Sequence, residues 1–397
     1  MVIVGAGYTG LAAARQLAKA GASVIVFERE EVGWGASSRN GGQVLTGLRL
    51  DAATLVSRYG ETKARMLFEA ATESMSALEQ IVADERIDCD LHRSGHLVAA
   101  WKPSHFAAFQ DEQALLARTF DHRVELVPRA EQRTEIGSEA YHGVLVDEHS
   151  LAINPARYVL GLADAARRAG AAVMAHTAVA RVVRQGLRWT ITTSRGVVEA
   201  GDLLIATNGY TGAPFPALRR RFVPIGSYII ATEPLPPDVA ARILPKGRMA
   251  FDTKYFLYYF RVTADHRLLF GGRAEFSQPT ADSSRRADRI LRDGLRTVFP
   301  DLADVAIEYA WGGQAAFTRD EMPRAGLLGS AYYAGGYAGH GIALATHLGG
   351  LIGRRLAGEP IEHPLFDDRF APIPLYRGTP WFLPIVGAYF KAKDLLT

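Results

Sequence analysis

Met1-Val2-Ile3-Val4-Gly5-Ala6-Gly7-Tyr8-Thr9-Gly10-Leu11 opens the chain, and its reading decides the fold. Val2-Ile3-Val4 is a short buried strand, Tyr8 to Ala20 is a helix rich in alanine and leucine, and Ser23 to Phe27 is a second strand. Between the first strand and the helix, Gly5, Gly7 and Gly10 complete G-x-G-x-x-G. Glycine there permits a tight turn and lets the backbone approach a pyrophosphate, which gains the free N–H groups at the helix start beside Tyr8 and Thr9. Glycine turns also occur for packing alone. Here Glu28 closes the second strand 18 residues beyond Gly10, where a carboxylate accepts hydrogen bonds from ribose hydroxyls, and with Arg29 it favours a dinucleotide.

Working outward, Gly35-Ala36-Ser37-Ser38-Arg39-Asn40-Gly41-Gly42-Gln43 gathers small residues, hydroxyls and one arginine in a turn-rich stretch. Such a loop suits a flavin dinucleotide. Ser37 and Arg39 neutralise phosphate oxygens, while Gly41 and Gly42 let the main chain lie against a flat ring. An ordinary surface loop is the plain alternative. A nicotinamide-dependent dehydrogenase is the competing use of the opening βαβ unit. Residues 51–87 then read as helical, Gly95 to Trp101 as a strand and Pro103 to Arg118 as a helix. After Asn154-Pro155, a helix start, Ala156 to Ala169 is helical, with strands near Ala172–Met174, Val179–Arg184, Trp189–Thr193 and Leu203–Ala206. Phe222 to Gly272 reads as antiparallel sheet with a hairpin around Ala264-Asp265-His266. In Tyr255-Phe256-Leu257-Tyr258-Tyr259-Phe260, alternation places Tyr255, Leu257 and Tyr259 on one face.

At 397 residues, 48% hydrophobic and 22% charged, the chain holds a large core. Its net charge of +3 and scattered arginines make nucleic acid a poor partner. The single cysteine, Cys89, allows no intrachain disulfide and no thiolate cluster, and no metal centre is expected; the cytoplasm is the favoured compartment. No apolar run approaches a bilayer span. Asp147, His149 and Ser150 invite a triad reading, but they crowd into four residues and the reading is rejected.

The block Ser38-Arg39-Asn40-Gly41-Gly42-Gln43-Val44 resembles the D-amino acid oxidase, glycine oxidase and sarcosine oxidase superfamily of FAD enzymes, most closely its gamma-glutamylputrescine oxidoreductase branch. Further blocks follow in family order: Asn154-Pro155, Val179, Ala206-Thr207-Asn208-Gly209-Tyr210, Trp311-Gly312-Gly313, Asp320 with Pro323, and Gly336-Tyr337-Ala338-Gly339-His340-Gly341. The resemblance implies an α/β fold: a Rossmann-like FAD-binding domain of the glutathione-reductase type from 1–50, 150–215 and 325–370, with a second, antiparallel-sheet substrate domain of α+β character from 51–149 and 216–324. Residues 371–397 form a tail on the body. It implies that Val179, Ala206, Thr207, Asn208 and Gly209 hold the nucleotide, and that Gly336, Tyr337, Gly339, His340, Gly341 and Ile342 lie beneath the flavin.

The implied activity is oxidation of a primary or secondary amine at its C–N bond, with oxygen or another acceptor taking the electrons. Tyr255, Tyr258, Arg273, Gln314 and His340 are the candidate catalytic residues. Three departures qualify this. Gly313 stands where sarcosine oxidases attach flavin through cysteine, so FAD is expected to be noncovalent. Ala315 and Ala343 replace an arginine and a lysine that hold a substrate carboxylate, and Leu269 replaces the lysine that speeds reaction with oxygen. Lys254, Arg261 or Arg273 is left to supply a positive charge near the flavin. The missing anchors also motivate two competing readings, a dehydrogenase and a catalytically silent flavin-binding subunit.

Overall fold

The opening glycine turn sits where two strands and a helix meet. The computed structural model describes residues 1–272 and 281–396, the backbone alone for 281–283, 395 and 396. Arg273 lies outside the described residues. Strand Val2–Val4 runs into helix Tyr8–Lys19, and strand Ile25–Phe27 returns parallel to it with Val2 opposite Ile25. The six-stranded sheet has the order Arg324–Leu328, Ala331–Gly335, Leu203–Ile205, Val2–Val4, Ile25–Phe27, Ala172–Met174, parallel except at its first strand.

Alternation along these strands fills two cores. Ile3, Val26, Leu204 and Ala334 face helices Tyr8–Lys19, Pro155–Arg168 and Gly341–Leu356. Val2, Val4, Phe27, Leu203, Ile205 and Tyr333 face the other way. That second face is covered by the strands Val179–Gln185, Arg188–Thr193 and Gly196–Ala200, which form a separate antiparallel sheet.

Eight strands form the larger sheet: Ile307–Phe317, Val223–Thr232, Leu268–Gly272, Tyr258–Val262, Met249–Asp252, His96–Ala99, Gly143–Asp147 and Glu125–Pro128. Every pairing is antiparallel except that of His96–Ala99 with Met249–Asp252. Helix Ala281–Val298 packs Ala287, Leu291 and Leu295 against it. The insertion after Asp51 divides: strands His96–Ala99, Glu125–Pro128 and Gly143–Asp147 join this sheet, His92–Arg93 joins a small separate sheet with Leu151–Ala152 and Gln43–Val44, and helices Ala52–Tyr59 and Glu61–Glu85 bury Leu55, Leu67, Met75 and Leu78 in the first core. The tail buries Tyr376 and Leu383 against Ile225 and Phe317, and the Asp394 carboxylate accepts the N–H groups of Tyr255 and Phe256.

The aromatic run departs from its expected alternation. The Asp252 carboxylate accepts the N–H groups of Lys254 and Tyr258 and folds the intervening residues into a turn, so the strand begins only at Tyr258. Tyr259 and Leu257 face the cleft described below, while Phe260 is core.

Candidate active site

A cavity of about 370 Å³ opens at the carboxyl ends of the parallel strands and runs on to the eight-stranded sheet. Ligands of open α/β folds bind at such strand ends. Gly5, Glu28, Thr177, Ala206 and Tyr337, which follow five different strands, all line it. The glycines have separable roles. Gly5 has φ +106° and a Cβ there would meet the Ala206 carbonyl oxygen at 2.7 Å. A Cβ on Gly7 would meet Ser37 Oγ at 2.7 Å, and one on Gly10 would lie 2.0 Å from the Gly5 carbonyl oxygen. Gly10 therefore lies outside the cleft lining and serves to press the helix onto the turn. Glu28 accepts the N–H groups of Ala6 at 2.9 Å and Glu30 at 3.0 Å, which fixes its carboxylate at the cleft edge beside the exposed Arg29.

Gly35, Ala36, Ser37, Arg39, Asn40, Gly41 and Gln43 line the next stretch. Ser37 Oγ accepts the Tyr8 N–H at 3.1 Å, and the buried Tyr8 hydroxyl donates to the Ser37 carbonyl, so this turn is latched to the glycine loop. Thr9 Oγ1 is 2.7 Å from the Tyr337 hydroxyl. Arg39 donates to the carbonyls of Trp34 at 2.6 Å and Gly312 at 3.2 Å and lies 4.4 Å over the Trp34 ring. Asn40 accepts the Gly42 N–H at 2.9 Å. Gly42 itself points out of the cleft, because at φ +72° a Cβ would fall 2.1 Å from the Ile153 carbonyl oxygen.

Val179, Thr207, Asn208, Gly339, His340, Gly341 and Ile342 complete this half of the cleft. Helix Gly341–Leu356 starts at its edge, so its first N–H groups are free to meet a ligand. Two expected contacts lie behind the lining. A Cβ on Gly209 would meet the Gln314 carbonyl oxygen at 3.1 Å, and Gly336, at φ +78°, donates its N–H to Asn208 Oδ1 at 2.9 Å with Thr318 where a Cβ would be. Both shape the backbone under the cleft.

Residues 1–355 match the family model described as FAD dependent oxidoreductase. The chain belongs to that family. It is 35% identical over 403 residues to the gamma-glutamylputrescine oxidoreductase of Escherichia coli (strain K12), covering 99% of this chain and 92% of the relative. It is 24% identical over 375 residues to a glycine oxidase of Bacillus licheniformis, covering 91% and 94%. The glycine oxidase structure from Geobacillus kaustophilus superposes with a TM-score of 0.78 at 19% identity, covering 94% of this chain and 98% of that one, which establishes the fold.

In this FAD dependent oxidoreductase the far wall of the cleft is assembled from Leu45, Arg49, Ile225, Ser227, Phe251, Leu257, Tyr259 and Gln314. Of the candidate catalytic residues, Gln314 and His340 line the cleft. Tyr255 and Tyr258 do not: Tyr255 stacks on Phe390 of the tail at 5.0 Å, and Tyr258 packs at the second core beneath Lys254, 3.5 Å over its ring. Lys254 and Arg261 are likewise turned away. Lys254 pairs with Asp252 at 3.1 Å, and Arg261 donates to the carbonyls of Gly41 at 2.6 Å and Ile153 at 3.0 Å. Trp311 spends its ring N–H on the Arg39 carbonyl at 3.0 Å.

Arg49 is the cation the sequence reading overlooks. It reaches the cleft from the loop after Gln43–Val44, loosely paired with Glu321 at 3.7 Å, both side chains about one-third exposed. Burial, with the Arg49 charge adding to it, pushes the His340 imidazole down to about 3. The Tyr259 hydroxyl lies 3.0 Å from Ser227 Oγ, and its ring fills the space that glycine leaves at Gly41 and Gly271. Period-two alternation picks out Tyr259 and Leu257; nothing local in the sequence marks Arg49 or Phe251.

Proposed function

We propose that the chain holds FAD noncovalently in this cleft and oxidises the C–N bond of an amine whose far end carries an anionic or polar tail. One observation carries the reading. Among the described residues, Glu28 is the sole carboxylate lining the cleft, and it stands at the dinucleotide end, while the far wall is aromatic and aliphatic apart from Arg49, Ser227 and Gln314. An ammonium ion entering beside Tyr259, Phe251 and Ile225 meets no counter-charge and is driven to its neutral form, the form with a nitrogen lone pair. FAD held there would supply the acceptor for the two electrons and the hydrogen that leave the carbon next to that nitrogen.

The residues fit the cofactor. Gly5 and Gly7 open the approach to a pyrophosphate, Glu28 retains lone pairs for ribose hydroxyls, and Val179 and Thr207 border the adenine side. Gly339 to Ile342 would present helix N–H groups to the bound flavin, where they would stabilise negative charge. No thiol lines the cleft among the described residues, Gly313 packs against Arg39, and Cys89 is buried in the first core; these support noncovalent binding. Gln314, held by its N–H to the Tyr210 hydroxyl at 3.0 Å, and Tyr259 orient the substrate. Arg49 receives the anionic tail. The similarity to gamma-glutamylputrescine oxidoreductase makes an acylated diamine with a free carboxylate the leading substrate class.

A second reading concerns the acceptor. No lysine lines the cleft among the described residues, and Leu269 is not among the residues that line it, which supports an amine dehydrogenase passing electrons to an acceptor other than oxygen. Anaerobic mixing with gamma-glutamylputrescine, putrescine, sarcosine and D-alanine tests both readings. Bleaching of the yellow band by the tailed amine is the expected result, and admission of oxygen then separates rapid from slow reoxidation. Bleaching by D-alanine alone would overturn the substrate class.

A further inference from the structure

Two clusters outside the cleft bring metal-ligating side chains together: His122, Asp147 and His149, and Glu73, His347 and His363. The first is already satisfied. Asp147 Oδ1 accepts the His149 N–H at 2.9 Å and faces its Nδ1 at 3.1 Å, while Oδ2 takes the Thr46 hydroxyl at 2.6 Å and His122 Nε2 at 2.7 Å. No lone pair of that carboxylate is left for an ion.

The second cluster differs. Nε2 of His347 and Nε2 of His363 are both buried, and neither has a hydrogen-bond partner among the described residues. Two orphaned ring nitrogens in one place are uncommon, since buried polar groups are nearly always paired. The two rings meet edge to face at 5.5 Å, and one ligand atom from each of Glu73, His347 and His363 lies within 4.8 Å of the others. Glu73 is exposed on helix Glu61–Glu85, so an ion has a path in from solvent.

We propose that Glu73, His347 and His363 bind one divalent ion of the zinc class, with water as the fourth ligand. Two imidazoles and a carboxylate are the donor set that such ions prefer over magnesium or calcium. Binding at His363 Nε2 moves the ring proton to Nδ1, and the long 3.3 Å contact from the Leu365 N–H to that atom is given up. The ion would join three pieces of chain. His347 sits midway along helix Gly341–Leu356, whose start lines the cleft; Glu73 belongs to the insertion; His363 follows the helix on the segment returning to the sheet edge. The site is therefore a brace on the helix that carries His340 and Ile342, placed behind the cleft.

The test is calorimetric titration of the flavin-loaded full chain, stripped of metal by a chelator, with zinc chloride. The expected result is one ion per chain at micromolar affinity or tighter, together with a rise in melting temperature. His363→Gln and His347→Gln each weaken binding by about a hundredfold, Glu73→Gln by about tenfold, and His149→Gln leaves it unchanged. If His347→Gln fails to fold, the His363 and Glu73 variants still decide. Absence of saturable binding, or binding that persists in His363→Gln, or loss in His149→Gln overturns the proposal.

Discussion

At the scale of single residues, Arg49 and His340 face the same cleft with opposite consequences. Arg49 is only loosely paired with Glu321, so an incoming anion displaces a weak partner. A charged hydrogen bond contributes about 1.5–3 kcal/mol, or roughly ten- to a hundredfold in affinity. Arg49→Met is expected to raise KM for a carboxylate-tailed amine by about that factor and to leave kcat and the KM of an untailed amine unchanged; steady-state kinetics on the two substrates checks it. His340, with its folded pKa lowered to about 3, is neutral throughout the working range. The lowered value puts its titration below pH 4, not near 6.5. The kcat/KM profile therefore rises with pH as the substrate amine deprotonates and shows no limb from this imidazole, and His340→Asn should retain the same shape. An ionisation near pH 6.5 that vanishes in the variant would refute this. The near side of the cleft is legible in sequence because its lining is local: Gly5, Gly7, Glu28 and Ser37 fall within one βαβ unit and the turn after it. The far wall draws Arg49, Ile225 and the hairpin pair Phe251 and Tyr259 from three distant segments, and no local pattern unites the three.

Elements obey the same division. Helix Tyr8–Lys19 and helix Gly341–Leu356 cross at glycines: a Cβ on Gly349 would meet the Thr9 carbonyl oxygen at 2.2 Å, and one on Gly353 would meet Gln16 Cβ at 2.9 Å. The two are four residues apart, on one face of the second helix. Gly349→Ala forces the helices apart, an overpacking change that costs about 1–3 kcal/mol. Because both helices start at the cleft, the shift also spreads the N–H groups that would receive FAD. The expected outcome is a lower denaturant midpoint together with weaker FAD retention on dilution, whereas Gly350→Ala, mid-helix with nothing within 4 Å of a Cβ, leaves FAD retention unchanged and raises the midpoint through helix propensity. The opening strand–helix–strand, the Asn154-capped helix and the hairpin at His266 are legible because their signals are contiguous. The start of the strand at Tyr258 is not, because one buried carboxylate, Asp252, sets it from across the turn. Nor does the sequence reveal that Glu61–Glu85 packs on the first core, since an amphipathic helix carries no address for the surface that covers it.

For the whole molecule, what matters is how the two large sheets are held in register across the cleft. Gln43 donates to the carbonyls of Ala250 at 3.3 Å and Phe260 at 3.2 Å, reaching from the small sheet beneath the glycine-rich turn into the eight-stranded sheet. Arg261 reaches back, to Gly41 and Ile153, from the neighbouring strand position. Burial lowers its guanidinium to about 10, so it remains charged at neutral pH and both carbonyls keep a cationic donor. Removing it takes this donor from the buried Ile153 carbonyl and the part-buried Gly41 carbonyl, at up to about 1–3 kcal/mol each before relaxation. Arg261→Met is therefore expected to lose about 2–4 kcal/mol of stability. Because Gly41 lines the cleft and Ile153 packs under Gly42, the same change should also loosen the turn that would lie against the flavin ring. Arg261→Lys supplies a single point donor where two divergent carbonyls must be met, so it should recover the charge without recovering the geometry. Guanidinium unfolding and FAD release measured on both variants separate the cases. Rescue by lysine would mean that charge alone couples the sheets, whereas equal loss in both variants would mean that the forked geometry does.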